Sequence, residues 1–130
     1  MHPVLLEAGE AVGRGTKGDA VALALKTGEI KSFEEAAEVG RRQARSGAHV
    51  LDVCLQDPDR DELEDMAQFL DLVTKKVKTP IMIDSTDHAV IELALKRLQG
   101  KSIINSVNLE DGEARFQAVV PLARRYGAAL

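Results

Sequence analysis

Between residues 49 and 127 the chain repeats one pattern three times: a short, almost uninterrupted apolar run, a polar turn, then apolar residues returning every three or four positions. The runs are His49-Val50-Leu51-Asp52-Val53-Cys54, Pro80-Ile81-Met82-Ile83-Asp84 and Ser102-Ile103-Ile104-Asn105-Ser106-Val107. A strand with one face in water would alternate apolar and polar residues, so a nearly continuous run points to a strand covered on both faces. Strands of that kind alternating with amphipathic helices predict βα units on a parallel sheet.

The helical segments carry their own start and stop signals. Ser32 followed by Glu35 forms a capping box that opens a helix ending at Gly47, with Phe33, Ala37, Gly40 and Ala44 at helical spacing. From about Asp61 to Val77 the stripe is Leu63, Met66, Phe69 or Leu70, Val73 and Val77, acidic early and basic late, which suits the helix dipole. A third stripe, Val90, Ile91, Ala94, Leu95 and Leu98, stops at Gly100, and a fourth, Phe116, Val119, Val120 and Ala123, stops at Gly127. Gly127-Ala128-Ala129-Leu130 then occupies the place of a next strand, as Gly47-Ala48-His49-Val50 begins an earlier one. A closed eight-unit barrel takes roughly 250 residues, and this length holds about four units and the start of a fifth. The expectation is therefore a partial (β/α)8 barrel in one domain over 1–130, with unpaired sheet edges that a second copy could complete as a homodimer.

Composition narrows the partners. Of 130 residues 45% are hydrophobic and 29% charged, an ordinary globular balance. Seventeen basic and twenty-one acidic residues leave a net charge of −4, with no basic stripe interleaved with aromatics, which argues against nucleic acid. One cysteine, Cys54, forms no internal disulfide and favours a cytoplasmic setting. No signal-peptide pattern and no long apolar run is present, so no membrane span is expected. His2, His49 and His88 lack ligand spacing, and no metal site is expected; surface or strand-edge positions suit them better.

Asp52, Asp84 and Asn105 each interrupt an apolar run near its C-terminal end, at what the sequence suggests is a common depth. In parallel α/β folds ligands bind at that end. A carboxylate buried there without hydrogen-bond donors costs several kcal/mol, and a ligand is one source of donors. Backbone N–H groups of the following turn are the other, as Asp and Asn often use at strand ends.

Three stretches, Gly47 to Val53, Pro80 to Thr86 and Ile103 to Gly112, resemble in order and spacing the signature of the pterin-binding (folate) barrel domain of cobalamin-dependent methionine synthase. The likeness covers Ser32 to Leu130, and Asn105 to Gly112 is its most specific part. Dihydropteroate synthase and the methyltetrahydrofolate:corrinoid methyltransferases share the barrel and the Asp, Asp, Asn pattern. The synthases' Gly-Gly-Glu-Ser-Thr-Arg loop is replaced after Asp52 by Leu55-Gln56-Asp57-Pro58-Asp59-Arg60-Asp61-Glu62, which favours the methyltransferases.

The resemblance implies a site in which Asp52, Asp84 and Asn105 bind the pterin of 5-methyltetrahydrofolate, with Asp84 and Asn105 also catalytic. Its methyl group would pass to a corrinoid, cobalamin, held on a separate domain or chain. Ser85 is expected to cap the next helix or touch the pterin. Residues 1–31 are a divergent first strand and glycine-rich loop: Gly9-Glu10 and Gly15-Thr16-Lys17 align with the family's first strand, making Glu10 a pterin contact, while the family's Arg and Asn are lost. A phosphate loop over Gly9 to Gly18 is disfavoured because the G-x-x-x-x-G-K-[ST] order is missing. Cys54 is read as a small buried hydrophobe, and the acids of Asp57 to Glu62 as a helix start rather than a metal site. Two further functions stay open: methyl transfer to a corrinoid iron–sulfur protein, and a truncated, non-catalytic remnant of the barrel.

Overall fold

The computed structural model describes residues 5–9, 32–107, 110 and 112–130. Its elements are β1 (Leu5–Gly9), α1 (Phe33–Arg45), β2 (Val50–Cys54), α2 (Glu62–Val73), β3 (Ile81–Asp84), α3 (His88–Arg97), β4 (Ile103–Asn105) and α4 (Ala114–Tyr126). They form one four-stranded sheet in the order β1-β2-β3-β4. β2, β3 and β4 are parallel neighbours, as expected. Successive parallel strands laid side by side through right-handed crossovers place every crossover helix on the same face of the sheet, the arrangement of a barrel wall rather than of a doubly wound sheet.

β1 departs from the parallel expectation. It runs antiparallel to β2, with Leu5 opposite Cys54 and Gly9 opposite Val50. Strand periodicity is the same in both directions, and direction follows from how the chain connects, which apolar spacing does not encode. At the other edge the chain enters the sheet again. The Ala129 amide donates to the Ser102 carbonyl at 2.8 Å, and the Ile104 amide donates to the Ala129 carbonyl at 2.8 Å, a parallel bridge beside β4.

Local chemistry explains the helix boundaries. The Ser32 hydroxyl accepts from the Glu35 amide at 3.2 Å, Asp61 accepts from the Glu64 amide at 3.1 Å and Asp87 accepts from the Ala89 amide at 2.8 Å, so three helices start on side-chain caps. α4 ends on Gly127 in the left-handed region, φ +70°, where residues with a Cβ are disfavoured. Pro121 sits inside α4 and removes the amide that would donate to the Gln117 carbonyl.

The core lies between sheet and helices. Leu51, Val53, Ile83 and Ile104 on the sheet pack with Met66, Phe69, Leu70 and Val73 of α2, Val90, Ile91 and Ala94 of α3, and Val119 and Ala123 of α4. Phe33 and Phe69 join α1 to α2 through a tilted ring pair, centroids 6.0 Å apart. Two stripe assignments need correction. Leu63 is exposed on α2, and Phe116 and Val120 are 39% and 38% exposed on α4 while Val119 and Ala123 are buried. The two α4 pairs are each four residues apart and form parallel rows, and only one row faces the core. No helix among the described residues is long and apolar enough to cross a membrane.

Candidate functional site

Side chains alternate across a strand, and the burial pattern shows what each face meets. Leu51, Val53, Ile81, Ile83 and Ile104 point to the helices and are buried, whereas Cys54, Met82, Asp84, Ile103 and Asn105 on the other face are half-buried. Asp52 belongs to that second face by parity and is 8% exposed. All three sequence-identified polar strand residues therefore project from the side of the sheet that the helices leave open.

Their depths differ from expectation. Asp84 pairs in register with Asn105 on one side and with Cys54 on the other, whereas Asp52 pairs with Met82. Asp52 is thus two residues deeper in the sheet, roughly 7 Å along the strand. A carboxylate and an amide stand together at the rim, and a second carboxylate lies below them. The apolar runs are similar in length but not in register: β2 continues two residues past its aspartate, to Cys54, whereas β3 ends on Asp84 and β4 on Asn105.

Beyond the strand ends, the turns are tied to one another. The Ser85 hydroxyl donates to Glu62 Oε1 at 2.8 Å and accepts from the Asp87 amide at 3.1 Å. Ser85 is 1% exposed, so its hydroxyl is engaged in holding this turn. Gln56 Nε2 donates to Thr86 Oγ1 at 2.6 Å, joining the turn after β2 to the turn after β3. The Arg115 guanidinium donates to the carbonyls of Thr86, Ser85 and Ser106 at 2.5, 2.8 and 3.4 Å. The Asn105–Ser106 peptide bond is cis.

Glu62 and Arg115 belong to the rim although the sequence did not single them out for it. Both open helices that follow a strand, which is the one signal that could have found them: the first turn of such a helix lies at the C-terminal end of the sheet. Cys54 also differs from expectation, standing half-buried on the open face beside Asp84. Glu10 lies outside the described residues, as do His2 and residues 108, 109 and 111 of the Asn105 to Gly112 stretch. His49 and His88 are exposed.

The electrostatics are those of an acidic rim. Burial raises the Glu62 carboxyl above its ordinary range, the Ser85 hydroxyl opposes this by stabilising the anion, and the charges of Asp87 and Asp84 raise it further. Burial likewise raises the Cys54 thiol; the Gln56 backbone amide opposes it, and the charges of Asp84, Glu62 and Asp52 add to it. The thiol is held protonated, a poor nucleophile. Outside the rim, Arg60 grips the buried Asp65 with two hydrogen bonds of 2.8 and 2.7 Å, and an Asp57 carboxylate oxygen accepts from the Asp59 amide at 2.9 Å. These contacts organise the acidic turn as a helix start, and no group of three potential metal ligands occurs among the described residues.

A surface of carboxylates repels anions such as phosphate and suits a ligand edge rich in N–H donors. The Asn105 amide adds one group able both to donate and to accept. Comparison with known proteins agrees with that chemistry. A family model described as pterin binding enzyme matches residues 24–130. Methionine synthase from Mycobacterium tuberculosis (strain ATCC 25618 / H37Rv) is 37% identical over 103 residues, covering 77% of this chain and 9% of that protein. Methionine synthase from Mycobacterium leprae (strain TN) is 35% identical over 103 residues, covering 77% of this chain and 8% of that protein. The chain thus spans less than a tenth of the length of either relative.

Proposed function

From the premise that this chain belongs to the family of pterin-binding enzymes, we propose that it is the pterin-recognising part of a methionine synthase-type methyltransferase and binds 5-methyltetrahydrofolate on the open face of its sheet. The observation that carries the reading is the register pairing of Asp84 with Asn105 above Asp52, on the one face the helices leave uncovered. The pyrimidine edge of a pterin presents an amino group and ring N–H, and Asp84 and Asp52 accept hydrogen bonds from such donors. Asn105 donates to a ring oxygen or nitrogen while its own carbonyl accepts. The two acceptor carboxylates and the donor–acceptor amide therefore fit the ligand edge.

Methyl transfer from N5 becomes easier when N5 is protonated or strongly hydrogen-bonded, because the departing amine is then a better leaving group. In this reading Asn105 reaches the N5 end while Asp84, level with it on the next strand, anchors the pyrimidine edge, and the two are the catalytic pair. The corrinoid, carried on a separate domain or chain, supplies the nucleophile that takes the methyl group. Ser85 holds the turn that presents Asp84.

Magnitudes set the expected effect. A hydrogen bond to a charged group contributes roughly 1.5–3 kcal/mol, and micromolar binding needs about 8 kcal/mol. Asp84 and Asn105 supply a large share of that but not all. Calorimetry with 5-methyltetrahydrofolate on this chain should give a binding heat, and Asp84→Ala should bind on the order of 10- to 100-fold more weakly. A folded wild-type protein that gives no heat sinks the reading.

A further inference from the structure

We propose that Arg115 is a positioning residue, a clasp that sets the strand ends bearing Asp84 and Asn105 at one height; its bearing on ligand binding rests on the pterin reading. Three carbonyls from two different turns converge on this one guanidinium: Ser85 and Thr86, where the chain leaves β3, and Ser106, where it leaves β4. The same junction carries the last backbone hydrogen bond between the turns, in which the Ser85 amide donates to the Asn105 carbonyl at 3.2 Å. Ser85 follows Asp84, and Asn105 precedes Ser106. The guanidinium therefore grips the backbone immediately next to both ligand-facing residues.

The placement of the charge is an independent sign. Arg115 lies in the first turn of α4, where the helix dipole disfavours a cation. α1 and α2 follow the dipole rule with Glu34 and Glu35, and with Glu62, Glu64 and Asp65; neither α3 nor α4 has an acid in its first turn, and α4 alone carries an arginine there, two residues after its N-cap Glu113. A residue that breaks a local rule is expected where another gain offsets it. Here the gain is multiple donation in fixed directions. A guanidinium offers five N–H donors in one plane, and a lysine ammonium on the same helix turn has no such fork.

The test uses the whole chain and three variants, Arg115→Ala, Arg115→Lys and Arg115→Gln, read by amide hydrogen exchange and by calorimetry with 5-methyltetrahydrofolate. In Arg115→Ala the Ser85 amide should exchange on the order of tenfold faster, while core amides such as those of Val53 and Ile83 keep their protection. Millimolar methylguanidinium should restore both Ser85 protection and ligand affinity in Arg115→Ala, whereas the same concentration of sodium chloride should not. Arg115→Lys, which keeps the charge but loses the fork, should behave like Arg115→Gln. If Arg115→Ala does not fold, Arg115→Lys takes its place in the exchange measurement.

Unchanged Ser85 exchange in the folded variants overturns the clasp, as does equal affinity in wild type and Arg115→Gln. A wild-type chain that gives no heat overturns the pterin reading instead, and the clasp then stands or falls on Ser85 exchange and its rescue alone.

Discussion

Glu62 shows how a single residue can carry information about the whole rim. Its carboxyl is raised by burial and by the neighbouring Asp87 and Asp84, with the Ser85 hydroxyl as its stabilising partner. A carboxyl with a raised folded pKa binds protons more readily in the folded state than in the unfolded chain. Folding stability therefore falls as pH rises from the ordinary value of 4.5 through the raised one. Glu62→Gln removes that titration and keeps an oxygen able to accept from Ser85. Urea melts of the two proteins should coincide at acid pH and diverge with rising pH, the variant becoming the relatively more stable. A gap that stays constant across that window would show that the Glu62 carboxyl is not raised in the folded state. The sequence marked Glu62 only as an acid in a helix's first turn. Its proximity to Ser85 depends on how α2 and β3 pack, a distance of 23 residues along the chain that no local pattern spans.

Elements were more legible than contacts. The three parallel strands and four helices form where the apolar runs and caps put them, because strand and helix periods are local properties, although α2 stops at Val73, short of the Val77 that its stripe suggested. Strand direction was not, and β1 is the example. Nor was the choice between the rows Phe116/Val120 and Val119/Ala123, since both have helical spacing and only packing decides which is buried. Gly127 is the element boundary most open to test. A Cβ there would meet nothing within 4 Å, yet the backbone is left-handed at φ +70°. Gly127→Ala should therefore cost about 1–2 kcal/mol through the backbone alone, seen as a lower denaturation midpoint with unchanged m-value. Because this turn delivers Ala129 to β4, the Ile104 amide should also exchange faster in the variant. An unaltered midpoint would mean that the turn is not held in the native state.

For the whole molecule, ligand binding and stability are linked. If 5-methyltetrahydrofolate binds the folded chain and not the unfolded one, ligand at a hundred times its Kd should add about 2.7 kcal/mol to the unfolding free energy. The shift should rise with ligand concentration and shrink in Asp84→Ala, which a thermal melt series can follow. A melting temperature indifferent to ligand would contradict the assignment. That the three candidate residues stand near the same end of the sheet was legible at this scale, and their relative heights were not. Asp52, Asp84 and Asn105 could be chosen because polar residues inside apolar runs stand out. That Asp84 and Asn105 are level while Asp52 lies lower, and that Arg115 and Glu62 frame them, follows from register and packing.

The alternation of faces along β2, β3 and β4 makes the sheet separable by parity for engineering. Leu51, Val53, Ile83 and Ile104 hold the helices, so changes there are read as stability, with truncations of such buried aliphatics typically losing about 2–5 kcal/mol. Cys54, Met82, Asp84, Ile103 and Asn105 alternate with them on the half-buried face. A library confined to this second set would test the proposed pterin recognition while leaving the buried packing in place, and a neighbouring residue on the same strand serves as the control for each change.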